Sequence, residues 1–158
     1  MTIIAGPSGS GKSMRFSVHG FGVDSFNVDD RCSELNGSYY GVPPAIRQQA
    51  QMECEAFIEG HIRDLKSFAT ETTLRTAVAI DQARKAKAAG FVTSILYIGT
   101  GDVNINILRV RRRGLGGGHS APPETIADNY TRSLANLALA LGTFDRGDVH
   151  DNSGTEPR

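Results

Sequence analysis

One stretch near the start of the chain, AGPSGSGKS at 5–13, constrains the fold more than any other. It follows the apolar run TIIA at 2–5, which reads as a short buried strand. The spacing matches GxxxxGK[ST] at Gly6, Gly11, Lys12 and Ser13, with Pro7, Ser8, Gly9 and Ser10 between. Between a strand and a helix, that pattern is a phosphate-binding loop. The backbone N–H groups of such a loop converge on one concave site, where larger side chains would block a phosphate. A following helix N-terminus adds partial positive charge. Lys12 is then placed to reach the β- and γ-phosphates of ATP, and the Ser13 hydroxyl to hold Mg²⁺.

The rest of the chain alternates strand and helix signals. SFNV at 25–28 reads as a second strand ending at Asp29 and Asp30, and 31–42 as a loop. Pro43 and Pro44 suit the first turn of a helix that runs to about residue 64. FATET at 68–72 is a third strand, followed by an alanine-rich helix from Thr76 to Ala89 that stops at Gly90. FVTSILYIG at 91–99 is the clearest buried strand. Asp102 caps the next helix, 113–123 is a Gly/Pro loop, and Glu124 to Leu141 is a long helix. DVH at 148–150 is a last strand, and the polar DNSGTEPR after it is expected to fray. Five strands alternating with helices predict a layered α/β domain with a mainly parallel sheet. No repeat or linker divides the 158 residues, so one domain over 1–158 is expected.

Bulk properties exclude some classes. Seventeen basic and seventeen acidic residues leave no basic excess for nucleic acid or membrane surfaces. The longest apolar stretch, LANLALALG at 134–142, is too short to span a bilayer. Cys32 and Cys54 show no metal-ligand spacing and read as reduced thiols. MTIIAG carries no charged leader region, so the expected location is the cytoplasm.

Phosphoryl transfer needs Mg²⁺ ligands, positive charge on the transferred group and an acceptor held in line. In a parallel sheet these come from the carboxyl ends of strands. After strand two, Asp29 or Asp30 could take the proton of an attacking hydroxyl. After strand three, Glu71 could hold Mg²⁺ through water, and Thr72 or Thr73 could bond phosphate or substrate. The run RVRRRGLGGGH at 109–119 joins guanidinium groups to a glycine-rich loop, as a lid over phosphates requires. His119 reads as a loop residue rather than a base.

AGPSGSGKS, FNVDD (26–30), FATETTL (68–74), RVRRRGLGGGH, YTRSLANL (130–137) and VHDNSG (149–154) together resemble the zeta-toxin family of P-loop kinases, in the compact bacterial branch. The resemblance implies a three-layer α/β/α P-loop NTPase of nucleoside-monophosphate-kinase-like type with a helical lid at about 109–132. It implies an ATP- and Mg²⁺-dependent phosphotransferase acting on a hydroxyl of a small molecule, with a nucleotide-activated sugar as the family's acceptor, and an antitoxin protein as a partner. Matched onto the family's motifs, Asp29 falls on the general base, Glu71 and Thr73 on substrate-side positions, and Arg113 on the lid arginine. Arg132 is a second phosphate contact. By fold analogy the adenine lies near Asp151, Asn152 and Ser153. The chain departs from the family where Ala127, Asp128 and Asn129 precede Tyr130.

Two rival readings follow from the same residues. A nucleotide-binding regulatory module would bind ATP or GTP with no acceptor. A polynucleotide 5′-hydroxyl kinase would use Arg109–Arg113 as a backbone patch, which the neutral net charge disfavours.

Overall fold

A computed structural model describes residues 1–116 and 121–154. In chain order the elements are β1 (Thr2–Ala5), α1 (Lys12–Arg15), a 3₁₀ turn (Val18–Phe21), β2 (Asp24–Phe26), α2 (Val28–Asn36), α3 (Pro44–Arg63), β3 (Phe68–Thr72), α4 (Val78–Ala88), β4 (Ser94–Gly99), α5 (Val103–Leu115), α6 (Pro123–Thr143) and β5 (Arg146–Asp151). The five strands form one sheet in the order β2-β3-β1-β4-β5, every pair parallel.

β1 is central and apolar on both faces, as a parallel strand covered from both sides must be. Ile3 and Ala5 join a large core with Phe68, Ile95 and Tyr97, closed by Ile58 of α3, Ile80 and Ala83 of α4 and Ala140 of α6. Ile4, Ala69 and Ile98 point the other way and pack with Val18, Phe16 and Phe21. The sheet is therefore sandwiched, with three long helices on one face and a thin layer, residues 16–23, on the other. This is a three-layer α/β/α arrangement with an all-parallel sheet.

β1 and β3 end in register, Ala5 beside Thr72, so the phosphate loop leaves the sheet next to the end of β3. The Gly6 N–H donates to the Thr72 carbonyl at 3.2 Å. Pro44 opens α3, and Asp102 caps α5 by accepting from the Asn104 N–H.

Several local expectations are corrected. The segment 31–42 is not all loop: α2 occupies Val28–Asn36, because Asn27 leaves the strand and accepts the N–H groups of Asp29 and Asp30 as an N-cap. The helix after the phosphate loop is a single turn, Lys12–Arg15, too short for a substantial macrodipole, so the loop amides and Lys12 must supply the positive potential. Residues 151–154 are tied down rather than frayed: Asn152 N–H donates to the Gly99 carbonyl, Ser153 Oγ accepts from the Gly101 N–H, and Arg109 donates to the Gly154 carbonyl. Among the described residues no helix is long and apolar enough to cross a membrane.

Candidate functional site

The phosphate loop is built against backbone. Gly6 has φ +143°, and a Cβ there would stand 2.0 Å from the Ile98 carbonyl oxygen of β4. Gly9 has φ +80°, and its Cβ would stand 2.5 Å from the Asn106 carbonyl oxygen of α5. Neither position admits a side chain without moving the sheet or α5. Two amides brace the loop: Asn106 Nδ2 donates to the Ser8 carbonyl at 2.7 Å and Asn152 Nδ2 to the Ser10 carbonyl at 2.8 Å. Asn106 is fully buried and also accepts from the Thr100 hydroxyl.

Lys12 is buried with its Nζ 2.8 Å from the Gly6 carbonyl oxygen, 3.3 Å from that of Pro7, and 3.6 Å from Glu71 Oε1. Burial pushes its ammonium below the usual lysine range; the carboxylates of Glu71 and Asp29 oppose this, and the Arg113 guanidinium adds to it. The charges of Glu71, Asp29 and Arg113 are thus all felt at Lys12.

Glu71, at the end of β3, is the hub. Its Oε2 accepts from Ser13 Oγ at 3.1 Å and from Asn27 Nδ2 at 3.2 Å, while Oε1 faces Lys12. Asn27 therefore works twice, capping α2 through Oδ1 and holding Glu71 through Nδ2.

The donor set fits a Mg-bound triphosphate. The backbone N–H groups of Gly9, Gly11, Lys12 and Ser13 make no backbone hydrogen bond among the described residues. Ser10 Oγ is buried there with no partner. Such unsatisfied donors beside an ammonium are what an anion with several oxygens would satisfy.

Asp29 and Asp30 stand in the first turn of α2 and face different groups. Asp29 pairs with Arg47 of α3 at 3.5 Å. Asp30 accepts from the Tyr39 hydroxyl at 2.8 Å and lies 3.3 Å from His19 Nε2; His19 Nδ1 is 2.8 Å from Ser25 Oγ. Hydrogen bonding to Asp30 raises the Tyr39 phenol above its ordinary range.

Thr72 is committed to the backbone: its carbonyl takes the Gly6 N–H and its Oγ1 takes the Leu74 N–H. Thr73 has no hydrogen-bond partner among the described residues and is the freer of the two toward a substrate. Leu74 is fully buried with φ +56°, and Asn136 of α6 donates to its carbonyl. A bulky residue in that region marks stored strain.

Of the predicted site residues, Lys12 and Ser13 of the loop are joined to Glu71 by direct contacts, and the charges of Asp29 and Arg113 act on the Lys12 ammonium. Arg132 instead pairs with Asp128 at 2.7 Å, one turn back along α6. Asn152 braces the loop from behind. The basic run is divided, Arg109 turning to Gly154 while Arg113 acts at Lys12. The lid's central glycines and His119 fall at 117–120, outside the described residues. The sequence reading missed Asn27, Arg47, Tyr39, His19 and Asn106. Only Asn27 carried a local signal, an N-cap residue followed by two aspartates.

No protein-family model matches the chain, and no curated protein matches it in sequence. Solved structures do match in shape. A proposed kinase from Chloroflexus aurantiacus J-10-fl superposes with a TM-score of 0.67 at 15% identity, over 96% of this chain and 88% of that one. The PezAT chromosomal toxin–antitoxin system of Streptococcus pneumoniae gives a TM-score of 0.67 at 20% identity, over 96% of this chain and 68% of that one. Shikimate kinase from Acinetobacter baumannii in complex with shikimate gives 0.51 at 13% identity, over 97% and 84%. The strand order, the loop at the end of β1 and these neighbours give the chain the fold of the P-loop kinases, and its resemblance to the zeta-toxin-like members holds at that level.

Proposed function

We propose that the chain is a Mg·ATP-dependent phosphotransferase acting on a hydroxyl of a small molecule. The observation that carries this is the set of contacts at Glu71. One carboxylate joins the loop lysine, the loop serine and the residue that caps the helix bearing Asp29. Bound Mg·ATP would supply the phosphoryl group, with ADP as the leaving group. The loop amides and Lys12 would hold the phosphate oxygens, and Ser13 with Glu71 would hold Mg²⁺. Asp29 takes the acceptor's hydroxyl proton as the new phosphorus–oxygen bond forms. Arg113 adds positive charge beside Lys12, where it would meet the charge of the phosphoryl group in transfer.

The toxin–antitoxin neighbour supports an antitoxin as a candidate partner, and the shikimate-bound neighbour supports a small acceptor. The zeta-toxin resemblance offers a nucleotide-activated sugar as one candidate acceptor.

The test is a metabolite-extract screen with γ-labelled ATP. Label transfer by the wild-type protein that disappears in Lys12→Ala supports the reading. ATP consumption that is the same in both proteins overturns it.

A further inference from the structure

The turn that ends β3 is held more firmly than a connection to α4 requires. Leu74 stands at φ +56° with its side chain fully buried in the core beneath α3, α4 and α6. That conformation is unfavourable for any residue but glycine. The other leucine of this kind, Leu65, is exposed in the turn after α3. Leu74 is buried and also bound at both backbone groups. Its N–H donates to Thr72 Oγ1 at 3.1 Å, and its carbonyl accepts from Asn136 Nδ2 at 3.0 Å. Such a conformation persists only where its surroundings over-determine it.

The bond from α6 belongs to a set. Tyr130, Ser133 and Asn136 recur at three-residue spacing, so they lie along one side of the helix. The Tyr130 hydroxyl donates to the Thr100 carbonyl at 2.7 Å, and Ser133 Oγ lies 3.0 Å from the Tyr97 hydroxyl. Asn136 then reaches the Leu74 carbonyl. The first two contacts fasten α6 to β4 and the residue after it, which gives the Asn136 amide a definite place.

Thr73 sits between the two fixed residues. Its predecessor is tied to the phosphate loop, because the Thr72 carbonyl takes the Gly6 N–H. Glu71 is two positions back. A half-buried threonine with no hydrogen-bond partner among the described residues, on a backbone clamped from both sides, suits a substrate contact: its hydroxyl is uncommitted while its position is not.

We propose that Asn136 is a positioning residue for the transfer: by holding the Leu74 carbonyl it keeps Thr73 in place for the acceptor. This step rests on the phosphotransferase reading. Asn136 acts through Thr73 and not on the reacting atoms.

The test is a double-mutant cycle on initial rates of label transfer from γ-labelled ATP into an ATP-depleted metabolite extract, with Lys12→Ala as the blank. Asn136→Ala leaves room for water at the Leu74 carbonyl; if it does not melt cooperatively, Asn136→Ser replaces it. Asn136→Ala and Thr73→Val should each lower transfer about 10–100-fold. The double variant should be no slower than Thr73→Val alone. Affinity of Asn136→Ala for a non-hydrolysable Mg·ATP analogue, measured by calorimetry, should match the wild type. Losses that multiply in the double variant overturn the proposal, and so does full transfer in either single variant. A fall in analogue affinity that accounts for the lost rate overturns it too, as does failure of both Asn136 variants to fold, since Asn136 then serves the fold as a whole. Absence of Lys12-dependent transfer by the wild type overturns the phosphotransferase reading itself, and this step with it.

Discussion

Ser13 Oγ donates to Glu71 Oε2 across 3.1 Å, so the turn after the phosphate loop is fastened to the end of the third strand. The same carboxylate faces the buried Lys12 ammonium at 3.6 Å. Glu71→Gln keeps the shape and the hydrogen-bonding oxygen but removes the charge that partners Lys12. Thermal or urea unfolding should show a loss of about 1–3 kcal/mol. Turnover should need more Mg²⁺, and a titration of rate against Mg²⁺ concentration checks that.

Asp29 and Asp30 are adjacent in sequence but separate in surroundings, which makes the choice of base testable. Asp29→Asn should leave ATP affinity within a few-fold and lower transfer about 10²–10⁴-fold. Asp30→Asn should act mainly on acceptor KM, since both oxygens of Asp30 are engaged with Tyr39 and His19. Single-turnover rates with each variant decide the matter, and full transfer in Asp29→Asn would pass the role to Asp30.

Asn27 can be split into its two tasks. Asn27→Ala removes the cap and the bond to Glu71 together and should cost about 1–2 kcal/mol. Asn27→Asp restores the cap but sets a second carboxylate against Glu71. It should recover α2 stability by circular dichroism while still binding Mg·ATP differently from the wild type.

Gly9 has a close backbone neighbour, with its Cβ position 2.5 Å from the Asn106 carbonyl oxygen. Gly9→Ala must adopt a left-handed conformation at about 1–2 kcal/mol and also displace α5 or the loop. ATP affinity measured by calorimetry should fall more than tenfold, while the sheet still melts cooperatively.

Asp145, far from the phosphate loop, gives the chain an acid limb. Lys87 at 2.8 Å, followed by the N–H and hydroxyl of Thr93, holds its carboxyl down to about 2. The folded value lies below the unfolded one, so the stabilisation is complete above about pH 4 and is lost as pH falls toward 2. The difference in Tm between wild type and Asp145→Asn should be constant above pH 4 and shrink below it.

Local chemistry made much of this fold legible in the sequence. The loop at 6–13 announces itself because glycine, lysine and serine are required there one by one. FATET matches β3 residue for residue, and Pro44 marks the start of α3, because proline and β-branched residues act within a turn or two. α2 was hidden because Asn27 ends a strand and caps a helix at once, and because Cys32 is its one buried residue. The cleft lined by His19, Asp30, Tyr39 and Glu53 was less visible still. These residues meet only after β2 has paired with β3 and α3 has folded back, and nothing in their spacing encodes that meeting. Asn106 is similar: ninety-eight positions separate it from the Ser8 carbonyl it holds.

The lysine at the loop donates to the carbonyl oxygens of Gly6 and Pro7. On the proposed function, a triphosphate would compete with those two carbonyl oxygens for the ammonium. Such an exchange of partners would add little to affinity, and its benefit would fall where charge migrates during transfer, favouring speed over grip.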